Sequence, residues 1–583
     1  MHERILGTLI LSRYGAEVLT DRKQSGENIA VAPRYLHGAT DGDKVIVEII
    51  HPATRKRPPM GKVVEVLGQS GENETEMHAI LAEFGLPYDY PEEAVAAAET
   101  IDSDISTQEV YRRRDMRDVF TFTIDPADAK DFDDALSFRP SGENEFEVGV
   151  HIADVTHYVE SGGVLDNEAY NRATSVYLVD RTIPMLPERL CNELCSLRPN
   201  EDKLTMSVIF TLDSQAKVLK HKICRTIIRS DVRLNYEQAQ EIIDAESASA
   251  ADDQLTIAVK QLNRLAAILR EERFRHGAIE FERDEIKVLV DDKGKPTGFA
   301  LQESTPSHHL IEEFMLLANR TVAMQLSGTN KDVVYRVHDV PDPDKVEALS
   351  KFVHQFGYSM HLPKRDKKNE NGTRAATKAI KRLLEESTGS IEQELIHTLA
   401  VRTMPKAVYS THNIGHYGLA FPYYTHFTSP IRRYPEMMVH RLVAKYILGS
   451  KQPAAAGQTV MNDLEEACRH CSDREQLAVA AERASVKYKQ AEWMAEHIGE
   501  TFDGIISGVT EYGVYVQLNE THCEGLLHMR ELSAGREDYW IFNEDEYCIV
   551  NERTGEKLTL GDPIRVAVLT ADALRRQIAF RRA

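Results

Sequence analysis

The chain has 583 residues, of which 42% are hydrophobic and 28% are charged. At about 150 residues per domain this length predicts three or four domains, and the composition excludes disordered, collagen-like and coiled-coil proteins as overall classes. No segment approaches the roughly 20 consecutive apolar residues of a membrane span, and the first residues lack the pattern of a secretion signal. The cysteines, an odd number scattered along the chain, favour a reducing compartment. We therefore expect a soluble, cytoplasmic, multidomain protein.

The formal net charge is −22, from 70 basic and 92 acidic residues. On its own this charge argues against a polyanionic partner. A nucleic acid contacts only part of a surface, however, and basic residues are grouped in residues 55–57, 112–114 and 364–382. Each of these runs, taken alone, is more typical of a solvated face. The balance of charge therefore does not exclude RNA as a partner.

Both ends of the chain carry the pattern of short β-strands. Four apolar segments between residues 7 and 50 are separated by glycines and by a turn at 41–43, and a fifth segment from Gly61 could close a small barrel. Near the other end, apolar and polar residues alternate over 499–518, with glycines where a barrel strand must bend. The sequence therefore predicts a small β-barrel at each end.

Between the barrels the patterns are mixed. A capped helix is expected over 73–84, and helical periodicity returns over 462–496 after a linker of Gly, Ala and Pro. Two terminal barrels that flank a central region large enough to be a catalytic domain suggest a protein that acts on a polymer. The predicted units are a barrel at 1–72, a helical and acidic connector at 73–110, the body at 111–448, a linker and helical segment at 449–497, and a second barrel at 498–583.

The strongest chemical signal is a run of acids directly after an apolar strand. Like charges this close raise one another's pKa values and oppose folding unless a cation neutralises them. Oxygen ligands without His or Cys suit Mg²⁺ or Mn²⁺, and such an ion would serve phosphodiester hydrolysis. A calcium loop of the EF-hand type is one alternative, but its central Gly and its final Glu are missing; a solvated acidic turn is the other. The acids are Asp125, Asp128, Asp131, Asp133 and Asp134.

At this cluster the sequence resembles the RNB catalytic domain of the ribonuclease II and ribonuclease R family. Further segments match the same family in order between Thr123 and Pro435, more than half of the chain, and two of them are closer to ribonuclease R. The resemblance implies a multidomain α/β protein with an N-terminal OB-fold barrel of the cold-shock type, a large α+β RNB domain and a C-terminal OB-fold barrel of the S-one type. The segments include His151-Ile-Ala-Asp-Val-Thr-His-Tyr-Val, Cys195-Ser-Leu-Arg-Pro-Asn, Tyr335-Arg-Val-His-Asp and Tyr424-Thr-His-Phe-Thr-Ser-Pro-Ile-Arg-Arg-Tyr-Pro.

The resemblance also implies roles for the acids. Asp125 and Asp134 are expected to ligate the Mg²⁺ that holds the scissile phosphate, and Asp131 to contact this ion or a second one. Asp133 is expected to be tied most directly to the chemical step, by orienting the attacking water. Asp128 matches no acid of the family and is expected to be a solvated turn residue.

Outside the cluster, Arg432 resembles the arginine that stabilises charge on the scissile phosphate, a task suited to its fixed fork of donors. For Arg433 a structural ion pair is the better interpretation. Tyr177 and Tyr335 resemble the aromatic clamp that sandwiches the 3′-terminal bases, and related enzymes often have Phe at the second position. Glu482 resembles a carboxylate near the terminal ribose, although an exposed ion pair explains it equally well.

OB-fold barrels hold single-stranded nucleic acid with a strand face and loops. In the C-terminal barrel Phe502, Tyr512, Tyr515 and His528 are candidates for base stacking, which is worth about 1–3 kcal/mol per base. The alternative for Phe502 and Tyr515 is a place in the barrel core. Stacking is tolerant of sequence because every base presents a π-face, which suits a degradative enzyme.

Together these residues and the resemblance imply a Mg²⁺-dependent exoribonuclease, with Mn²⁺ as a substitute. It is expected to degrade single-stranded RNA processively from the 3′ end to nucleoside 5′-monophosphates, and structured RNA through a 3′ overhang. Contacts to the 2′-hydroxyl should exclude DNA. Beyond single-stranded RNA, the ribosome or RNA-decay factors are expected partners, with no membrane and a monomeric state.

Two other classes of function stay open at this point. One is a catalytically inactive RNA-binding regulator, against which the presence of all four family acids and Arg432 argues. The other is a phosphodiesterase with a substrate other than RNA, which the two barrels disfavour. Relatives with this pattern usually carry a second cold-shock domain and a Lys-rich tail. We therefore expect a shortened or compact relative and make no prediction of duplex unwinding.

Overall fold

A computed structural model of the chain describes residues 4–13, 15–20, 28–54, 57–245, 253–279, 285–354, 356–362, 370–390, 393–450, 463–533, 539–543 and 548–583. Most of the basic run at 55–57, part of the run at 364–382 and most of the predicted linker at 449–457 lie outside the described residues. None of the helices in these ranges combines the length and the apolar character that a membrane crossing needs.

The N-terminal strands form a closed five-stranded barrel with the order β1-β2-β3-β5-β4. Leu9, Val18, Ile29 and Val47 fill its interior and have no exposed surface. A Cβ at Gly61 would lie 2.1 Å from the Val47 side chain, so only glycine fits where the barrel closes. The predicted N-terminal barrel is confirmed. Its strands are β1 (Arg4–Ser12), β2 (Gly15–Thr20), β3 (Ile29–Val31), β4 (Asp43–His51) and β5 (Met60–Gln69).

Three short helices then connect the barrel to the body: α1 (Asn73–Glu83), α2 (Glu92–Glu99) and α3 (Thr107–Arg112). The first of these confirms the helix predicted over 73–84. One face of α1 packs, through Met77 and Ile80, into a core that it shares with α13 (Leu464–Ala495) and with a hairpin of the body. This shared core therefore packs the helix that follows the first barrel and the long helix α13 against the body.

The body is built on a seven-stranded mixed sheet with the order β14-β7-β8-β9-β12-β13-β6. Hydrophobic residues on β9, such as Val148 and Val150, pack with Phe314 and Met438 from two helices in one large core. The strands of this region are β6 (Arg114–Asp115), β7 (Thr121–Asp125), β8 (Asp134–Gly142), β9 (Glu145–Ala153), β10 (Val176–Tyr177), β11 (Thr182–Ile183), β12 (Asp202–Asp213), β13 (Val218–Arg229), β14 (Val232–Asn235), β15 (Glu285–Val290), β16 (Pro296–Gln302), β17 (Tyr335–Val337) and β18 (Val408–Ser410).

Helices cover this sheet and extend from it. Phe314 lies on α8 and Met438 on α12, and a π-helix occupies Arg189–Leu194. The helices are α4 (Val155–Tyr158), α5 (Val164–Arg172), α6 (Tyr236–Asp244), α7 (Gln254–Arg275), α8 (Pro306–Ser327), α9 (Pro343–His354), α10 (Glu370–Ser387), α11 (Gln393–Arg402) and α12 (Tyr434–Tyr446). The long α13 follows and spans about 48 Å at 1.5 Å per residue.

The C-terminal strands form a second closed barrel with the order β19-β20-β21-β26-β25. The end of α13 contributes Ala491 and Met494 to its core. Both predicted barrels and the α/β body are therefore confirmed, whereas a separate three-stranded sheet, β22-β23-β24, was not predicted. The elements are β19 (Thr501–Thr510), β20 (Gly513–Leu518), β21 (Glu524–His528), α14 (Met529–Leu532), β22 (Trp540–Asn543), β23 (Cys548–Asn551), β24 (Lys557–Thr559), β25 (Pro563–Asp572) and β26 (Gln577–Arg582).

Candidate active site

The acids lie at one end of the seven-stranded sheet. Asp125 is the last residue of β7 and Asp134 the first residue of β8, and the intervening loop carries the others. Asp125 pairs in register with Asn235 on β14, and Asp134 with Ile152 on β9. Because β7 and β8 are adjacent antiparallel strands, the loop that connects them places both carboxylates at the same end of the two strands.

The loop between these two strands is fixed through its main chain. The Ser196 hydroxyl accepts a hydrogen bond from Phe132 N at 3.0 Å and donates one to Lys130 O at 2.8 Å. On the other side, Arg233 Nη2 donates to Pro126 O at 2.7 Å. Asp128 projects from this loop and is exposed, near Lys287 at 3.6 Å, which confirms it as a solvated turn residue.

The acids are in an environment that disfavours negative charge. Burial, together with the charge of Asp134, raises the pKa of Asp125 to about 8, and burial raises the pKa of Asp134 to about 7. Burial also raises the pKa of Asp131 and of Asp133, which is only 4% exposed. Two buried oxygens, Asp125 Oδ2 and Thr123 Oγ1, lack a hydrogen-bond partner of good geometry, although the nearby Thr123 hydroxyl lowers the pKa of Asp125. Such a site is stabilised by a bound cation or by protons.

The donor set offered by Asp125 and Asp134 fits a Mg²⁺ ion whose remaining ligands come from water and substrate. Within the described ranges no three His, Cys, Asp or Glu side chains converge into a group that could hold an ion by themselves. Mg²⁺ is often bound through one or two carboxylates, with water and substrate phosphates completing its shell. The buried Oδ2 of Asp125 and the adjacent Asp134 meet that description. The structure does not test the metal-binding roles, which stay predictions.

Asp133 and Arg432 are brought together from distant parts of the chain. Asp133 Oδ1 accepts a hydrogen bond from Ile431 N at 2.9 Å, and its Oδ2 lies 3.3 Å from Arg432 Nε. Arg432 Nη2 donates to Ser429 Oγ at 2.9 Å, while 37% of the arginine side chain stays exposed. Both Asp133 oxygens are therefore engaged by the protein, and the guanidinium keeps an accessible surface. Arg433 forms an ion pair with the buried Glu436, as predicted.

Tyr177 lies beside this pair. The segment before it bridges to the arginine turn, since Ser175 N donates to Arg432 O at 3.0 Å. The Tyr177 side chain is 39% exposed. Surrounding protein nevertheless raises the pKa of its phenol to about 12, with Arg432 opposing the shift and Asp131 adding to it. Part of the ring is therefore open to a substrate, while its hydroxyl group is surrounded by protein.

The hairpin that carries Tyr177 is held by distant elements. Asp180 in its turn accepts a hydrogen bond from Asn73 Nδ2 of α1 at 2.7 Å. Val179 N donates to Ser485 Oγ of α13 at 3.2 Å. Sequence patterns gave no signal for these supporting residues, because each lies more than a hundred residues away from its partner.

The other residues expected at the RNA terminus are placed differently. Tyr335 belongs to the hydrophobic core and is 8% exposed, so a base could contact only a small part of its ring. The structure therefore does not display Tyr177 and Tyr335 as two open faces, and the clamp role of Tyr335 stays a prediction. Glu482 is exposed on α13, one turn before the Ser485 that contacts the Tyr177 hairpin.

The candidates in the C-terminal barrel divide into two groups. Tyr512 is 63% exposed in the β19–β20 turn, and Tyr515 is 39% exposed on β20. His528 lies on the same outer face as Tyr515, because their strand registers pair 513 with 528 and 515 with 526. Phe502 is half-buried against the barrel core and its ring centroid lies 6.4 Å from that of Trp493, which favours its alternative interpretation as core; its stacking role stays a prediction.

The C-terminal region also carries an exposed aromatic residue, Tyr539, that the sequence analysis did not predict. Tyr539 is 71% exposed and immediately precedes β22 in the three-stranded sheet, which was not predicted. The Tyr-Trp-Ile-Phe run at 539–542 was an available strand signal.

Comparison with known proteins agrees with this architecture. Residues 113–449 match the RNB domain, residues 18–91 the cold shock domain and residues 496–582 the S1 RNA binding domain. Ribonuclease R of Aquifex aeolicus is 38% identical over 541 residues, which cover 93% of this chain and 75% of the relative. Ribonuclease R of Thermotoga maritima is 36% identical over 583 residues, which cover 99% and 80% of the two chains.

A solved structure shares the fold. Mycoplasma genitalium RNase R in complex with ribose methylated single-stranded RNA has a TM-score of 0.90 with this chain at 24% identity, covering 100% of this chain and 90% of that one. The RNB match spans more than half of the chain, and the matches to the two bacterial relatives extend over nearly all of it. The chain therefore belongs to the ribonuclease R family of RNB-domain 3′-5′ exoribonucleases.

Proposed function

We propose that this exoribonuclease hydrolyses single-stranded RNA processively with a divalent cation, Mg²⁺ or Mn²⁺, and releases nucleoside 5′-monophosphates. The observation that carries the proposal is the meeting, at one end of strands β7 and β8, of buried and partly buried aspartates, an arginine with an accessible guanidinium and an accessible tyrosine ring. Their sequence separation is large, so this arrangement comes from the fold. The names of the relatives, ribonuclease R, and the RNA in the Mycoplasma genitalium complex support the choice of substrate.

Asp125 and Asp134 are the residues that would hold the ion. When bound, Mg²⁺ neutralises charge on the scissile phosphate and activates the attacking water. Burial raises the free energy needed to ionise each carboxylate when it has no partner. A bound cation would offset this cost for both acids. Asp131, partly buried in the same loop, completes the acidic surface and would contact this ion or a second one.

Arg432 is placed to receive the phosphate. Asp133 and Ser429 hold its Nε and Nη2, which fixes the plane of the guanidinium. The exposed part of that side chain can donate hydrogen bonds to phosphate oxygens whose charge grows during the reaction. Asp133 thus orients Arg432, and we propose that it also orients the attacking water.

Tyr177 would stack on a base near the 3′ end. It lies two residues after Ser175, which is bonded to Arg432, so a base on this ring and a phosphate on Arg432 belong to neighbouring parts of one strand. Glu482, exposed on α13, would accept a hydrogen bond from a ribose hydroxyl, which discriminates RNA from DNA. The exposed tyrosines of the C-terminal barrel would hold RNA farther from the 3′ end.

We also propose a cytoplasmic location, a monomeric state and recruitment partners. All seven cysteines are free thiols, which suits the reducing cytoplasm. A monomeric state and recruitment to the ribosome or to RNA-decay factors rest on the resemblance. Light scattering of the purified protein tests the first, and sedimentation of cell extracts with and without ribosome dissociation tests the second.

The decisive experiment is a time course with 5′-labelled single-stranded RNA. We expect progressive shortening to a short end-product with release of 5′-mononucleotides, abolished by EDTA and restored by Mg²⁺. Asp133→Asn removes the charge that faces Arg432 and should bind RNA without cleaving it, while DNA of the same sequence should stay intact. Tight RNA binding by the wild-type chain without any shortening would overturn the proposal and leave an RNA-binding regulator.

A further inference from the structure

A buried glutamate outside the acid cluster holds both ends of the turn at residues 429–433, which carries Arg432 and is called the Arg432 turn below. Glu436 lies in the first turn of α12 and its side chain has no exposed surface. One carboxylate oxygen accepts a hydrogen bond from Ser429 N and the other from Arg433 Nε. The two ends of the turn are therefore connected through a single side chain.

The same turn is held on its opposite side by Asp133. Ile431 N donates to Asp133 Oδ1 at 2.9 Å, and Arg432 Nε lies 3.3 Å from Asp133 Oδ2. Ser429 links the two carboxylates, because its N–H donates to Glu436 while its hydroxyl accepts from Arg432 Nη2 at 2.9 Å. A displacement of Ser429 would therefore move one of the two contacts that fix the Arg432 guanidinium.

We propose that Glu436 is a positioning residue for phosphodiester hydrolysis. By holding Ser429 and Arg433 it sets where the Arg432 guanidinium lies relative to Asp133 and to the scissile phosphate. This inference rests on the proposed role of Arg432 as the phosphate ligand. A stabilising ion pair with Arg433 alone would not require the second oxygen of Glu436 to engage the main chain at Ser429.

Glu436→Gln is the informative substitution. Both partners of the carboxylate are N–H donors, so the amide must present its own NH₂ group to one of them and that contact is lost. A displacement of about 1 Å can cost about 10²-fold in rate. We expect kcat to fall by about this factor, measured in single-turnover reactions with Mg²⁺, while RNA affinity and KM stay within about twofold of wild type.

The matched control is Glu313→Gln. Glu313 is a second buried glutamate, 3% exposed. Its Oε1 accepts hydrogen bonds from Arg273 Nε at 3.0 Å and Nη2 at 2.5 Å, and its Oε2 accepts one from Arg273 Nε at 3.4 Å. It lies on α8 and contacts none of the residues of the Arg432 turn in these hydrogen bonds. The same isosteric change there should lower Tm without a comparable loss of kcat.

A double-variant cycle separates positioning from general damage. Arg432→Lys loses the fork that contacts both Ser429 and Asp133. If Glu436 acts through Arg432, adding Glu436→Gln to Arg432→Lys should slow the reaction by less than about threefold, since coupled residues are not additive. Equal slowing in both backgrounds would overturn the proposal.

A variant without an unpaired buried charge guards against misfolding. In Arg433→Met/Glu436→Leu both charges are removed, which buried ion pairs often tolerate, while Ser429 N still loses its acceptor. This variant should show the same loss of kcat. If the wild-type chain cleaves RNA and either Glu436 variant keeps the wild-type kcat, the positioning role is refuted and the proposed function stands. If the wild-type chain does not cleave RNA, the proposed function itself is refuted.

Discussion

Two regions of the molecule differ in how far their candidate functional side chains are exposed and held in place. One is the end of the sheet that carries the acids, and the other is the outer face of the C-terminal barrel. Asp133 is 4% exposed and both of its oxygens are engaged by residues of a distant turn. Tyr512 is 63% exposed in a turn and Tyr515 is 39% exposed on a strand. Groups that are fixed before substrate arrives lower the reaction barrier, whereas exposed rings contribute affinity one base at a time. Changes at the two places should therefore separate rate from binding.

The largest expected effect is at the acids. Asp125→Asn/Asp134→Asn keeps the shape of both side chains and removes the charges that would hold a cation. Loss of such an electrostatic stabiliser costs about 10²–10³ in kcat for one group, so we expect a loss of at least about 10³-fold for the pair, with RNA affinity retained. Single-turnover rates and filter binding measure the two quantities. Weakened RNA binding with unchanged kcat would contradict the separation described above.

Arg432→Lys should have the next largest effect. Lysine keeps one positive charge but cannot contact Asp133 and Ser429 and still present a planar fork to phosphate. We expect kcat to fall about 10²-fold with little change in KM. Arg273→Lys, at the buried ion pair with Glu313, is the matched control and should change Tm more than kcat.

A smaller effect on rate, and a clear one on affinity, is expected at the barrel. Tyr512→Ala/Tyr515→Ala removes two exposed rings, each worth about 1–3 kcal/mol if it stacks on a base. RNA long enough to reach the barrel should bind more weakly by about tenfold or more, while kcat at saturation stays unchanged. Phe502→Ala is the contrasting variant, because its ring lies against Trp493 and should matter to Tm. An oligonucleotide too short to reach the barrel should not distinguish the variants.

The contrast also explains what the sequence could predict. The acid run, its preceding strand and Arg432 are local signals, and barrels and helices follow from alternation and periodicity. The contact between Ile431 and Asp133 joins residues 298 positions apart, and the one between Val179 and Ser485 joins residues 306 apart. No local pattern encodes such pairs. Whether a ring is exposed, as for Tyr177, or buried, as for Tyr335, depends on which element covers it.

The last prediction concerns stability at the fixed site without a cation. The folded-state pKa values of Asp125 and Asp134, about 8 and about 7, lie above the ordinary value of 3.8. A raised carboxyl pKa means that the folded state holds protons which the unfolded state releases, so stability from these groups is present below about pH 4 and is lost as pH rises through about 8. In EDTA, Asp125→Asn/Asp134→Asn should therefore have a higher Tm than wild type, with a difference that grows from pH 5 to pH 8.

Differential scanning fluorimetry across that pH range measures the difference, which we expect to reach a few degrees, since about 1 kcal/mol shifts Tm by about 2–4 °C in proteins of 150–250 residues and by less in a longer chain. Mg²⁺ should reverse the order, because an ion that binds only the folded wild type stabilises it by mass action. Asp128→Asn, at the exposed acid of the same loop, should show neither behaviour. A wild-type Tm that does not respond to Mg²⁺ at pH 8 would mean that these buried acids are compensated by protons, and the cation would have to enter with the RNA.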